Sequence, residues 1–369
     1  MTEDAKRIID DSIRAVLPDA AVYRALEGRR FDRPVTVIAI GKAAWRMANA
    51  AAKALGENLR EGIVITKYGH SEGDIPRMTI YEAAHPIPDE AGVAATRAAL
   101  ALADRMTAQD EVIFLVSGGG SALFEQPLEG VTLDDFAEIT RQLLACGADI
   151  VQINTIRKRL SAVKGGRFAL HCRPAPVFSV VLSDILGDPL DMIASGPAAP
   201  DSNTCAEALA VVRKYGLRLS DRALACLQTE TPKALPNAVS RVTGSVRALC
   251  DAAEQAAQTL GYRCIRLTDC LSCEAREAGS FLASVARTHA AATRPLAFLA
   301  GGETVVHLRG TGKGGRNQEL ALSAALGIDG LCNALVASAG SDGTDGPTDA
   351  AGGIVDGFTA AEMRRRGVS

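Results

Sequence analysis

No stretch of this sequence approaches the run of about 18 uncharged apolar residues that a membrane span requires, so a bilayer-spanning chain is not expected. The amino terminus, MTEDAKRIIDDSIRAVLPD, carries acids and no long apolar run, and so lacks the marks of a signal or transit peptide. A cytoplasmic protein is the expectation. Positive charge is not in excess either, since 40 Lys and Arg face 43 Asp and Glu for a formal charge of −3. That balance removes the basic field that would draw a chain to nucleic acid or a lipid surface, and leaves a small molecule as the expected partner. Assembly into a homo-oligomer stays open. The nine cysteines lack the regular spacing of a disulfide framework, and their odd number suits a reducing cytosol. Cys270 and Cys273 form one C-x-x-C, but with no second pair and no His at ligand spacing, a zinc or redox site is the weaker reading. Neither G-x-S-x-G nor H-E-x-x-H occurs.

What is present is an alternation of strand and helix. With 369 residues and 47% hydrophobic content, the chain can bury two cores. Residues Ile8 to Leu17 show helical spacing closed by Pro18. Val35 to Ile40 is a short, continuous apolar run of the kind that forms a buried parallel strand. It ends in Gly41-Lys42 before an Ala-rich helix reaching about Leu55, which puts Lys42 on the ligand-facing edge of an open α/β sheet. Strands are expected at Gly62 to Thr66 and Thr79 to Ala84, and a helix at Asp89 to Met106. The fold class read from this order is α/β, with a first, Rossmann-like parallel sheet covered by helices on both faces.

The chain is organised around residues 111–124, where an apolar run breaks into Ser117-Gly118-Gly119-Gly120-Ser121 and resumes with Ala122-Leu123-Phe124. Three glycines allow backbone N–H groups to converge on an anion, with the Ser117 and Ser121 hydroxyls as further donors and a helix expected near Ser121. No Lys follows, so this is not a Walker A loop; a tight turn without a ligand is the alternative.

Further on, helices are expected at Leu133 to Ala145 and from about Asp149. The second contains Asn154 and leads through Arg157, Lys158 and Arg159 to Lys164 and Arg167. On one continuous helix Arg157 and Lys164 would share a face and could bind a polyanion, while a solvated basic face fits the spacing equally. After a strand over Pro176 to Leu182, Asp184, Asp188 and Asp191 gather in a Gly- and Pro-fixed loop, where acids can hold Mg²⁺ or take a proton from a hydroxyl.

Two prolines and little apolar character in TETPKALPNAVS suggest a boundary between domains at 1–235 and 236–369. The second is expected to begin with a strand at 239–244. Beyond Gly301-Gly302-Glu303 and an apparent strand at Thr304 to Leu308, the glycines Gly310, Gly312 and Gly315 satisfy G-x-G-x-x-G. With Lys313 and Arg316 beside them, the loop fits a polyphosphate at least as well as a dinucleotide. Asp342, Asp345 and Asp349, among hydroxyls, suit oxygen ligation of a hard cation.

Taken together, GKAA at 41–44, VSGGGSAL at 116–123, NTIRKRLSAVKGGR at 154–167, SDILGDPLDMIASGP at 183–197, GGRNQELAL at 314–322 and SAGSDGTDGPTDAAGG at 338–353 resemble the MOFRL-containing class II glycerate kinases. The motifs occur in order over nearly the whole chain. The resemblance implies a D-glycerate 2-kinase using ATP and Mg²⁺, two α/β domains with the active site in the interdomain cleft, and functional roles for Lys42 and Arg316. It departs at the carboxyl terminus. Family members normally continue into a Gly-, Thr- and Asn-rich segment, whereas this sequence stops at Ser369, so part of the family's cleft would lie beyond it.

On this reading Lys42 and Arg316 stabilise the transferring group and Asp184 orients or deprotonates the 2-hydroxyl. Ser117 to Ser121, Asn154, Arg157, Lys164, Glu303, Gly312, Lys313 and Gly315 bind substrate or phosphate, and Asp188, Asp342 and Asp345 are candidates for the metal. An NAD(P)H-dependent hydroxypyruvate reductase ranks second, because none of His70, His85, His171, His289 or His307 lies within the glycine loops or acid clusters. A sensor of nucleotide or sugar acid ranks third.

Overall fold

Six short runs rich in Val and Ile pair into one parallel sheet: β1 (Val35–Ile40), β2 (Leu59–Lys67), β3 (Met78–Ala83), β4 (Glu111–Val116), β5 (Val177–Leu182) and β6 (Ala238–Gly244). This computed structural model describes residues 1–308, 310 and 312–367. The strand order is β3-β2-β1-β4-β5-β6, that of doubly wound nucleotide-binding sheets.

β1 and β4 lie at the centre with every residue buried, so their sequences are continuously apolar rather than alternating. Their side chains still alternate between faces. Ile38, Ile40, Phe114 and Val116 enter one core with the helix Glu90–Ala103 and Phe168, while Val37, Ala39, Ile113 and Leu115 enter another with the helices Pro18–Leu26 and Ala44–Leu55. Each large apolar side chain so buried is stabilising by roughly 1.5–3 kcal/mol. β1 and β4 pair residue for residue from Val35↔Glu111 to Ile40↔Val116. They therefore end level, and the segments after them leave the sheet side by side.

A smaller core joins the helices Leu133–Ala145, Ile150–Leu160, Cys205–Tyr215 and Asp221–Leu227. Three of these begin with reciprocal caps, Thr132 with Asp135, Asp149 with Gln152 and Thr204 with Glu207, which satisfy N–H groups that the first turn leaves unpaired.

The chain divides into one unit over Leu17–Ser245 and another made of Met1–Val16 together with the chain from Val246 onward. The boundary expected at 235 shifts because β6 completes the first sheet beside β5 instead of opening a second one. The first helix, Thr2–Val16, belongs to the later unit, where Tyr262 donates to Asp4 at 2.7 Å. That unit holds a parallel pair, β7 (Arg263–Leu271) with β8 (Leu296–Gly302), and an antiparallel pair, β9 (Leu335–Ala339) with β10 (Gly352–Asp356). Its helices Ala275–Thr288 and Arg316–Gly327 meet through Ala275, Ala278, Ala321 and Ala324. Gly279 lets them touch, since a side chain there would strike the Leu320 carbonyl. Among the described residues no helix is long and apolar enough to cross a membrane.

Candidate functional site

Strand order reverses between β1 and β4, and ligands of open α/β sheets bind outside the strand ends at such a point. There the two connections are stitched together. Lys42 N–H donates to Gly118 O at 2.9 Å and Ser117 N–H to Ile40 O at 3.0 Å. The Ser117 hydroxyl accepts from Ala43 N–H at 3.1 Å and donates to Ile40 O at 3.2 Å. Gly41, at φ 110°, leaves room for this, because a Cβ would collide with Ser117. Ser117 is thus a buried strut rather than the anion donor expected from sequence.

The helix expected near Ser121 is a single turn, Gly120–Leu123, too short to supply a terminal dipole. The backbone cradle remains. Among the described residues, the N–H groups of Gly118 and Gly119 have no hydrogen-bond partner, and N–H groups at adjacent residues form an anion-binding concavity.

Each of the three glycines faces a different neighbour. A Cβ at Gly118 would meet Asp184 Oδ2; one at Gly119 would stand 2.9 Å from His85 Cδ2 and 3.2 Å from Lys42 Cγ; one at Gly120 would stand 3.0 Å from Ala194 Cβ. Lys42, His85 and Asp184 follow β1, β3 and β5 respectively, and converge on one loop. No histidine lies within the glycine loops along the sequence, but the fold brings His85 against this one. His70 also approaches, with Nδ1 3.1 Å from Lys42 O. The signal was available, because the strand-end rule that singled out Lys42 applies equally two residues beyond β3. Burial, with the Lys42 and Lys67 charges, pushes the His85 imidazole below its usual range, against the opposing pull of Asp184.

The basic segment is neither a solvated face nor one helix. The helix ends at Leu160, and Arg157 and Lys164 meet instead around Glu125. The Lys164 ammonium, fully buried, contacts Glu125 Oε2 at 2.5 Å and Phe124 O at 3.2 Å. Burial lowers it to about 8 although Glu125 opposes the shift. Arg157 lies over the Phe136 ring at 5.1 Å and reaches Ser121 O at 3.4 Å. Its buried Nε and Glu125 Oε1 have no partner. Two cations against one carboxylate leave the cluster with an excess positive charge next to the glycine loop.

Asn154 accepts from the Ser195 hydroxyl at 2.8 Å, and Ser195 lies 2.8 Å from Ser121 Oγ. With the Ser195 proton committed to Asn154, Ser121 donates to Ser195, so both residues brace the loop. Lys158 and Arg159, wholly buried, are held by Asp191, Asp201 and Glu230. Asp191 is therefore committed to Lys158. Asp188 sits half-buried in the same loop at φ 54°.

In the other unit, Arg316 opens the helix Arg316–Gly327 and pairs with Glu303 at 2.6 Å on the exposed surface. Lys313 is exposed, and side chains at Gly312 and Gly314 would meet only open space. Among the described residues the dinucleotide context of G-x-G-x-x-G is absent. β8 ends at Gly302, and of the strand expected over Thr304 to Leu308 only a bridge from Val305 to Glu274 forms. Arg309 and Thr311 lie outside the described residues.

Asp345 is no metal ligand here. Oδ1 accepts from Asn317 N–H at 3.0 Å and its amide at 3.1 Å; Oδ2 accepts from Gln318 N–H at 2.8 Å and its amide at 3.0 Å. Four donors use all the acceptor directions of a carboxylate. Burial alone would raise the Asp345 carboxyl, but these donors hold it below its usual range. Gly315 is required because a Cβ would strike that carboxylate. Asp342 accepts from Thr344 N–H at 3.1 Å in an Asx turn. Among the described residues no group of three His, Cys, Asp or Glu could hold a metal. The residues therefore do not fit a metal site built from protein alone.

Comparison with known proteins shows the family to which the chain belongs. A family described as a domain of unknown function, DUF4147, matches residues 4–228, and the MOFRL family matches residues 296–369. A D-glycerate 2-kinase of Thermotoga maritima is 53% identical over 98% of this chain and 88% of its own. The chain belongs to the MOFRL-containing class II glycerate kinase family. A crystal structure of glycerate kinase from Thermotoga maritima superposes with a TM-score of 0.95 at 52% identity, covering 99% of this chain and 89% of that one. Another member of similar sequence, from Agrobacterium vitis, is named a putative hydroxypyruvate reductase and is 38% identical over 98% of this chain and 84% of its own. The switch-point loop described above falls within the DUF4147 match, and Arg316 and Asp345 fall within the MOFRL match.

Proposed function

We propose that this chain transfers the γ-phosphoryl group of ATP to the 2-hydroxyl of D-glycerate, giving 2-phosphoglycerate and ADP. The observation that carries the proposal is the convergence of Lys42, Asp184 and the unpartnered N–H groups of Gly118 and Gly119 at the point where strand order reverses. Phosphoryl transfer needs an oriented acceptor and fixed positive charge around the moving group, with little covalent work from the protein.

On this proposal the Gly118 and Gly119 N–H groups hold an anionic oxygen of the substrate, and Lys42 offsets the charge that grows on the transferring group. Asp184 orients the 2-hydroxyl. The excess positive charge shared by Arg157, Lys164 and Glu125 favours the glycerate carboxylate on the same side of the loop. Ser121 and Asn154 hold the loop in shape. In the other unit, Arg316 and Lys313, with the open backbone at Gly312, are proposed to contact nucleotide phosphates. Glu303 holds Arg316 in reserve as an exposed, readily exchanged partner. Mg²⁺ would be bound through the nucleotide phosphates, whose charge it would offset; Asp188 and Asp342 each offer a single carboxylate and no cage. All nine cysteines are free thiols, which supports the cytoplasmic location proposed for the enzyme. The near-balanced charge supports small-molecule substrates.

The purified protein with D-glycerate, Mg²⁺ and ATP should release ADP, and should leave NAD(P)H unoxidised in the presence of hydroxypyruvate. NAD(P)H consumption without ADP release contradicts the proposal. A reductase is not favoured by the fold, because the strand before the G-x-G-x-x-G segment ends at Gly302, well short of Gly310.

A further inference from the structure

The imidazole of His85 is half-buried at the strand end after β3, and its Cδ2–Nε2 edge faces the glycine loop. A Cβ at Gly119 would stand 2.9 Å from Cδ2 and 3.1 Å from Nε2. Burial and the charges around it act on this ring, and among the described residues it makes no hydrogen bond, although polar groups withdrawn from solvent ordinarily find a partner. The groups around it are Lys42, Lys67, His70 and Asp184, drawn from the ends of β1, β2 and β5. Lys42 touches the same point of the loop as His85. The edge of the ring that carries Nε2 is therefore turned to where the transferring group is proposed to sit.

We propose that His85 is a catalytic residue, the group that takes the proton of the acceptor hydroxyl. The inference rests on the phosphoryl-transfer reading above and assigns it a base. In the step, the 2-oxygen of glycerate bonds to the γ-phosphorus as the bond from that phosphorus to the β–γ bridging oxygen breaks, and ADP leaves. The hydroxyl proton passes to His85 Nε2 and later to solvent. Asp184 then has a separate task, orienting the hydroxyl and stabilising the imidazolium. A carboxylate, with an ordinary pKa near 4, matches proton abstraction at neutral pH less well than an imidazole. Burial first, and then the Lys42 and Lys67 charges, favour the neutral, proton-accepting form of the His85 ring over the imidazolium, against the pull of Asp184.

The test pairs kinetics with direct titration. For the unaltered protein, kcat/KM for D-glycerate should fall on the acid side below the ordinary histidine range. His85→Gln should lose that acid limb and lower kcat by about 10²- to 10⁴-fold, with KM for ATP little changed, and added imidazole should restore part of the rate to His85→Gly. Independently, NMR titration of the unaltered protein should find the His85 ring titrating below its ordinary value and shifting when D-glycerate is added. If His85→Gln turns over within threefold of the unaltered protein, or keeps the same acid limb, the role is wrong. A ring resonance indifferent to D-glycerate also overturns it, even where the variant fails to fold. Absence of ADP release from the unaltered protein contradicts the kinase reading itself, and the assignment of His85 falls with it.

Discussion

At Lys42 a single amine separates a solvated surface residue from a participant in the reaction. Replacing it with Ala should cost about 10²- to 10³-fold in kcat/KM, the loss expected for one preorganised charge donor, with thermal unfolding nearly unchanged because the side chain is exposed. Near-normal turnover would make it merely solvated. Gly118 gives a sharper probe. Its φ is not in the left-handed region, so Gly118→Ala adds only a methyl group, and that methyl would collide with Asp184 Oδ2. Displacing that carboxylate by even an ångström should lower kcat by about 10²-fold, as should Asp184→Asn; activity equal to that of the unaltered protein in both variants would remove Asp184 from the reaction. The strand-end placement of Lys42 and Asp184 was legible in the sequence, because each stands just past a continuous apolar run that forms a buried strand. Ser117 and Asp345 were misread for a shared reason: hydroxyls and acids near glycines look like free ligands, while their partners lie 77 and 28 positions away in sequence. Asp345→Ala should leave buried donors of the helix unpaired and cost about 1–3 kcal/mol. Because its folded pKa is depressed from the usual 3.8, its contribution is present above that value and is lost as pH falls further through the folded pKa. Acid unfolding of the unaltered protein and the Ala variant should therefore converge at low pH; a constant gap would deny the cap this role.

Among elements, the central strands and capped helices follow most directly from local sequence. Val35–Ile40 and Leu133–Ala145 form over the expected residues, since apolar periodicity and a cap box act over a few positions. The basic segment did not yield to the same reasoning. Spacing along one helix cannot reveal that the helix stops at Leu160 and that Lys164 returns to a carboxylate at Glu125, 39 positions earlier. This pair is buried on both sides, so removing one partner should be far costlier than removing both. Lys164→Met alone should destabilise by about 3–5 kcal/mol, whereas Glu125→Leu with Lys164→Met should recover most of that loss. Denaturant unfolding of the two single variants and the double variant checks this. Additive losses would mean that the two groups are not coupled.

For the whole molecule, the alternation of strand and helix was sufficient for the α/β class, but not for the division of the chain. β6 looks like the first strand of a new unit because its preceding segment is Pro-rich; its pairing with β5 is a long-range choice that no local pattern encodes. The first helix joins the later unit for the same reason. The motif order, by contrast, was visible throughout and agrees with the family to which the chain belongs. The position phosphorylated on the acceptor is read from phosphorus NMR of the product formed from ATP and carbon-13-labelled D-glycerate. Transfer to the 2-hydroxyl should give one new phosphate ester whose phosphorus shows its two-bond coupling to C2. Two-bond coupling to C3, or an unphosphorylated product, would contradict it.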